Sequence, residues 1–160
     1  MLKLRETLVP LAAHDVDFVI IGAVAAGLHG SARTTLDLDV CYSRHTANLE
    51  RLASALAPFH PRLRDLPPGL PFLWEASTLR IGSLFTLTTD LGDIDLLAEV
   101  TGVGGYPEVK AASVPVEMFG YRFAVLSLDA LIASKRAIGR TKDLLILPEL
   151  EAIREATREG

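Results

Sequence analysis

Aspartates two positions apart are the feature of this 160-residue sequence that most directly suggests chemistry. The pattern occurs three times, at Asp15/Asp17, Asp37/Asp39 and Asp93/Asp95, whereas composition alone predicts about 0.6 occurrences. The last two pairs lie in apolar runs that predict β-strands, where residues i and i+2 face the same side about 7 Å apart. Aspartate is unfavourable in strands and like charges on one face repel, so these pairs need cations. Hard divalent ions with oxygen ligands, Mg²⁺ or Mn²⁺, suit them best.

Each pair also has a plainer interpretation. Asp15 and Asp17 precede a predicted strand and fit turn chemistry. The strand pairs could lie on the solvated face of a half-exposed sheet, in which case they would bind nothing. If they do hold two metals about 3.5–4 Å apart, they would form a device for phosphoryl or nucleotidyl transfer. For Asp37 and Asp39 taken alone, both interpretations stay open.

A possible phosphate site precedes the second pair. The predicted strand 18–21 ends at Gly22, and Ala23 opens a helix of small residues. Free N–H groups at such a helix start can bind phosphate oxygens, and glycine permits close approach. Many strand-to-helix turns share this pattern, and the glycine spacing is not that of a dinucleotide fingerprint.

Cationic residues offer two further candidates for phosphate binding. Arg33 stands just before the aspartate strand, where it could pair with a phosphate or with the aspartates themselves. Four of the 16 lysines and arginines fall within eight positions, at Lys135, Arg136, Arg140 and Lys142. This cluster could clamp a triphosphate or an RNA phosphate, or it could only complement the dipole at a helix end.

Helices and strands that must position these residues follow from the hydrophobic periodicity. Predicted helices cover 2–13, 23–29, 46–57 and 128–138, and a further one begins at 141 and restarts at Pro148. Predicted strands cover 18–21, 36–42, 79–88, 94–100, 114–118 and 121–126, with loops at 58–71, which contains five prolines, and at 101–113. This order predicts an α+β (mixed α/β) fold with a mixed, mostly antiparallel sheet flanked by helices.

Composition narrows the class of protein. The length fits a single domain, 1–160, with a core at about 16–126 and C-terminal helices at about 127–158. The net charge of −4 gives no general attraction to nucleic acid. Cys41 is the only cysteine, which excludes a disulfide within one chain. No secretory leader or membrane span is apparent, so we expect a cytoplasmic protein without a membrane partner.

Taken in order, these motifs resemble those of the DNA polymerase beta-like nucleotidyltransferase superfamily. The family pattern is an apolar strand ending in glycine, a short helix, Asp-x-Asp, and a third carboxylate on a later strand. The sequence matches it with Val19-Ile20-Ile21-Gly22-Ala23, Asp37-Leu38-Asp39 and Asp93-Ile94-Asp95. Arg33-Thr34-Thr35-Leu36-Asp37-Leu38-Asp39 is similar to a motif of small prokaryotic members, which include abortive-infection toxins and minimal nucleotidyltransferases. The later segments 126–135 and 139–144 resemble the end of that group, so the likeness runs from about 16 to 147.

The resemblance implies a nucleotidyltransferase fold and a role for each matched position. Asp37 and Asp39 would hold the catalytic metals. Asp95 would be the third carboxylate, a further metal ligand that polarises the attacking hydroxyl, with Asp93 as the alternative. The remaining candidates would bind nucleotide phosphates or the acceptor: Gly22, Ala23, Arg33, Lys135, Arg140 and Lys142. Ala23 departs from the family, which has serine there, so one hydroxyl contact to phosphate is missing.

The implied activity is Mg²⁺- or Mn²⁺-dependent transfer of a nucleoside monophosphate from a nucleoside triphosphate such as ATP. The acceptor would be a hydroxyl on a protein, an RNA or a small molecule. The alternative is a catalytically weak or inactive module that binds nucleotide or a partner protein, as one half of a toxin–antitoxin pair. Ala23 and the short C-terminal region favour that alternative.

Overall fold

The computed structural model describes residues 2–67 and 69–159, so Pro68, in the predicted proline-rich loop, lies outside the described residues. The helices are α1 (Leu4–Ala13), α2 (Gly22–Leu28), α3 (Thr46–Leu56), α4 (Ala76–Ile81), α5 (Tyr106–Ala111), α6 (Leu128–Ile138) and α7 (Thr141–Glu159), with a 3-10 turn at Ala57–Phe59. The strands are β1 (Phe18–Ile21), β2 (Asp37–Tyr42), β3 (Arg62–Leu63), β4 (Leu84–Thr89), β5 (Gly92–Leu97), β6 (Glu99–Val100), β7 (Gly104–Gly105), β8 (Ser113–Met118) and β9 (Tyr121–Leu126).

One large sheet organises the molecule. Its strand order is β3-β4-β5-β2-β1-β9-β8, and β6 and β7 form a separate small ribbon. The pairs β2–β5 and β1–β9 are parallel, while β1–β2, β3–β4, β4–β5 and β8–β9 are antiparallel. The predicted α+β class with a mixed, mostly antiparallel sheet is therefore confirmed.

Burial explains why the central strands form where they do. All four residues of β1 are buried, as its continuous apolar run requires. In β2, Leu38 and Val40 are buried, whereas Asp37 and Asp39 are partly exposed on the opposite face. The predicted period-2 pattern therefore holds over residues 37–40, where it turns both aspartates away from the Leu38 side of the core. It fails at the two ends, because Cys41 is buried as well and Leu36 lies outside the strand and is exposed.

The helix that follows the sheet begins and ends as predicted. The Ser127 hydroxyl accepts a hydrogen bond from the Ala130 N–H at 3.2 Å, which caps the start of α6. Gly139 ends the helix in the left-handed region, with a φ of 68°. The helix between these two ends buries Leu131, Ile132 and Ser134.

Five predicted elements are wrong. The strand 94–100 is divided between β5 and β6, which belong to different sheets, and the loop 58–71 contains β3. Residues 79–88 are not one strand, because α4 ends at Ile81 and β4 begins only at Leu84. The buried Leu79 belongs to that helix, which packs against α3, and a short apolar run cannot by itself distinguish the two structures. The predicted loop 101–113 contains α5, and α7 runs through Pro148 without restarting.

Within the described ranges, no helix combines the length and the apolarity needed to cross a membrane.

Candidate functional site

Four aspartates lie in register on the two neighbouring parallel strands β2 and β5. Asp37 pairs with Asp93, and Asp39 pairs with Asp95. Residues paired in this way on adjacent strands face the same side of the sheet, with the strands about 4.8 Å apart. The strand order therefore brings together the second and third Asp-x-Asp pairs, which are 56 positions apart in the sequence.

Asp39 is the most perturbed carboxyl group of this cluster. Burial, then the charge of Asp95 and a hydrogen bond shared with it, raise the pKa of Asp39 from 3.8 to about 7. The charge of Asp37 acts in the same direction, and Lys135 opposes it. Two carboxylates this close resist simultaneous ionisation unless a cation or a proton lies between them. The Asp39 carboxyl group is thus a place where a cation would be bound favourably.

Gly22 lets the Asp39 carboxylate approach the backbone. Its φ is +65°, which disfavours other residues, and a Cβ built there would lie 3.1 Å from both Cβ and Cγ of Asp39 and closer still to the carboxylate. Ile21, just before it, pairs with Asp39 across β1 and β2. The start of α2, at Gly22 and Ala23, therefore lies directly beside the aspartates, and no side chain caps it.

A cleft of about 310 Å³ opens onto these groups. Its polar and glycine lining consists of Gly22, Asp39, Thr86, Asp95, Glu99, Thr101, Ser134, Lys135 and Arg140. Apolar side chains of Ile21, Leu84, Leu97, Val100, Leu126, Leu131 and Ile138 complete its walls. The cleft thus joins carboxylates, cations and an apolar surface in one concave site, which is the usual make-up of a ligand pocket.

Both cations of the cleft bind a single buried aspartate. Lys135 Nζ is 3.1 Å from Asp143 Oδ1, and Arg140 Nε is 2.6 Å from Asp143 Oδ2. The Asp143 side chain is only 1% exposed. The hydrogen bond from Arg140 has the largest effect on the pKa of Asp143, and together with Lys135 it lowers that pKa to about 2. Asp143 therefore fixes two cations at the cleft edge.

Comparison with known proteins identifies the fold through one similar crystal structure. No protein-family model matches the chain, and no curated protein matches it. A crystal structure described as that of a candidate nucleotidyltransferase from Thermotoga maritima is similar to it, with a TM-score of 0.53 and 15% sequence identity. The similarity covers 100% of this chain and 97% of that one. The chain has a nucleotidyltransferase fold.

Not all of the predicted residues line the cleft of this nucleotidyltransferase fold. Arg33 is 57% exposed, and its Nε lies 3.8 Å from Glu149 Oε1 on α7. Lys142 is exposed on the first turn of α7. Ala23 directly follows the lining residue Gly22, and Asp37 lies two positions before the lining residue Asp39, but neither lines the cleft. The cleft thus contains Gly22, Asp39, Asp95, Lys135 and Arg140 of the candidate set.

Sequence reasoning missed Arg64. Its Nη2 lies 2.7 Å from Asp95 Oδ1, and its Nε lies 3.3 Å from Asp93 Oδ2. It also missed the role of Asp143. Arg64 carried no signal, since it stands in a proline-rich segment far from any motif, but the excess of aspartates did indicate that a cation was needed.

The donor set fits a divalent ion of the Mg²⁺ type. Among residues 2–67 and 69–159, no group of three or more His, Cys, Asp or Glu side chains is placed so that it could hold a metal ion. Mg²⁺, however, is usually held by one or two carboxylates and completes its shell with water and substrate phosphates. Asp39, partly shielded under Gly22, and Asp37, on the same face, supply such oxygens, and Arg64 already places one cation at the cluster.

We expect Asp143→Asn to make the folded protein less stable. Asparagine keeps the size but loses the charge that holds Lys135 and Arg140, so the free energy of unfolding at pH 7 should fall by about 1 to 3 kcal/mol. Because the native pKa of Asp143 is lowered, its contribution is present above about pH 4 and is lost as the pH falls toward 2. Thermal melts of both proteins between pH 2 and 7 measure this. Curves that stay parallel down to pH 2 would contradict the prediction.

Proposed function

We propose that the protein transfers a nucleoside monophosphate from a nucleoside triphosphate to a hydroxyl acceptor, with Mg²⁺ or Mn²⁺ as the required ion. One observation carries the proposal. The paired carboxylates of Asp39 and Asp95 lie beside the glycine that opens α2, in a cleft that also holds Lys135 and Arg140. Carboxylates, backbone amides and cations in one cleft are the groups that phosphoryl chemistry requires.

Each group has a distinct role in this proposal. Asp37 and Asp39 hold the ion, which when bound neutralises phosphate charge and orients the reacting phosphorus. The N–H groups of Gly22 and Ala23 donate hydrogen bonds to phosphate oxygens. Asp95 accepts the proton, or polarises the O–H bond, of the acceptor hydroxyl as its oxygen forms a bond to the α-phosphorus and pyrophosphate leaves.

Other parts of the cleft bind the rest of the nucleotide. Lys135 and Arg140 attract the triphosphate, and the hydrogen bonds to Asp143 hold them in place. Leu84, which is 60% exposed, and Ile138, which is 37% exposed, offer apolar surface for the base. The chemistry is consequently one of positioning and charge neutralisation, as in other phosphoryl transfers.

One departure favours a second candidate function. Ala23 has no hydroxyl to contact phosphate, so phosphate binding rests on backbone amides. The second candidate is a small module that binds nucleotide or a partner protein without turnover, as one half of a toxin–antitoxin pair. Such a module would not need a hydroxyl at position 23. Calorimetry with ATP and Mg²⁺ separates the two candidates, since binding without transfer favours the second.

Transfer of α-³²P label from each nucleoside triphosphate to candidate protein and RNA acceptors, with Mn²⁺, tests the proposal. We expect Asp37→Asn to reduce transfer about 100-fold, because one of the ion's charged ligands is lost. Asp15→Asn is the matched control. It belongs to the Asp-x-Asp pair outside the site, and its φ of 56° suits asparagine. Labelling that survives Asp37→Asn at the wild-type rate would overturn the assignment of the site.

A further inference from the structure

Arg64 lies against both aspartates of β5. Its Nη2 donates to Asp95 Oδ1 at 2.7 Å and to the Leu87 carbonyl at 2.9 Å. Its Nε is 3.3 Å from Asp93 Oδ2, and its side chain is 26% exposed. A permanent positive charge is therefore built in beside the carboxylate that is proposed to receive the acceptor hydroxyl.

This cation is firmly held. The Arg64 N–H donates to the Thr86 carbonyl at 2.9 Å and so extends the pairing of β3 with β4. The guanidinium cannot lose its charge at accessible pH. The same nitrogen, Nη2, donates to both the Leu87 carbonyl and Asp95. A divalent ion at Asp95 would have to lie next to this charge, where the repulsion is strong because the site is partly desolvated.

The inference rests on the proposed function. We infer that Arg64 takes the place of one of the two cations of a two-metal site, so that the chain uses a single divalent ion, held by Asp37 and Asp39. Arg64 is then a positioning residue: its contact at 2.7 Å holds the Asp95 carboxylate in place and turned toward the acceptor. The four carboxylates are thereby neutralised in two ways. The bound divalent ion neutralises Asp37 and Asp39 on β2, and Arg64 neutralises Asp93 and Asp95 on β5.

Mn²⁺ titration without nucleotide, followed by the electron paramagnetic resonance signal of free Mn²⁺, tests this at pH 8. We expect wild type to bind at most one Mn²⁺ per chain over the range of Mn²⁺ concentrations in which Arg64→Gln binds two. The second ion should bind Arg64→Gln at least tenfold more tightly than it binds wild type. Arg62→Gln is the matched control, since Arg62 is an exposed arginine of β3 whose guanidinium donates to the His60 carbonyl at 3.3 Å. It should titrate like wild type.

Two Mn²⁺ ions on wild type, or the same isotherm for wild type and Arg64→Gln, would overturn the inference, as would no Mn²⁺ binding by Arg64→Gln. If Arg64→Gln does not melt cooperatively, Arg64→Lys replaces it. Lysine has no fork to contact both carboxylates, so the second ion should still bind it several-fold more tightly than wild type. Label transfer is measured separately. Failed transfer with the expected Mn²⁺ stoichiometry refutes the proposed function and leaves the site assignment of Arg64 standing.

Discussion

Asp39→Asn should melt at a higher temperature than wild type at pH 8 and should carry out no detectable transfer. The pKa of Asp39 is raised to about 7, above the value of about 3.9 expected in an unfolded chain. Between pH 4 and 7 the native protein therefore holds a proton that the unfolded chain has released. Its stability falls as the pH rises through this window and levels off above pH 7.

Asparagine imitates the protonated carboxyl group at every pH. It removes the repulsion with Asp95 and Asp37, and its amide can donate to the Asp95 carboxylate. We expect a gain in the free energy of unfolding of the order of 2 kcal/mol at pH 8, and little difference near pH 4. Under the proposed function the same change removes a charged ligand of the ion, so transfer should fall by about 1000-fold or more. Stability and activity thus oppose each other at this residue.

Thermal melts of wild type and Asp39→Asn from pH 4 to 8 measure the difference, because other titrating groups are common to both proteins. Asp15→Asn again serves as the control and should follow wild type at every pH. Mg²⁺ should raise the melting temperature of wild type at pH 8 but not that of Asp39→Asn. If Asp39→Asn melts below wild type at pH 8, the account of Asp39 as a destabilising, cation-binding carboxylate is wrong.

The strands that carry the aspartates were predictable because the pattern that indicates them lies within a few neighbouring residues. Alternation of Leu38 and Val40 with Asp37 and Asp39 fixes the face of each side chain, whichever strand lies beside it. The capping serine of α6 and the glycine that ends it are local signals too. The pairing of Asp39 with Asp95 is not local: the periodicity states that both lie on strands, but not that the strands are neighbours, parallel and in this register.

Arg64 and Asp143 show what such patterns miss. Arg64 meets Asp95 because β3 pairs with β4 and β4 with β5, so its position depends on two strand pairings that no spacing reveals. Asp143 lies in the first turn of α7, where the sequence would suggest only a favourable interaction with the helix dipole. In the structure it is instead buried between two cations. Arg33 illustrates the opposite case, since its motif position suggested phosphate binding while its side chain pairs with Glu149.

Gly22→Ala should be among the most damaging substitutions of an uncharged residue in this chain. The φ of +65° costs an L-residue about 1 to 2 kcal/mol, and the added methyl group would overlap the Asp39 carboxylate. With the overpacking included, we expect a loss of about 2 to 4 kcal/mol in the free energy of unfolding. Phosphate binding at the start of α2 should be lost as well, because the proposed contact needs the backbone to lie this close to the aspartates.

Gly27→Ala provides the matched control in the same helix. Its Cβ would meet no atom within 4 Å, so alanine should be neutral or should stabilise α2 by up to about 1 kcal/mol. Denaturant unfolding of both variants measures the contrast. Combining Gly22→Ala with Asp39→Ala removes the carboxylate from the overlap, so the double variant should recover part of the loss, whereas the strain from φ should remain. Equal stability of Gly22→Ala and Gly27→Ala would show that the Asp39 carboxylate does not depend on Gly22 for its place in the cleft.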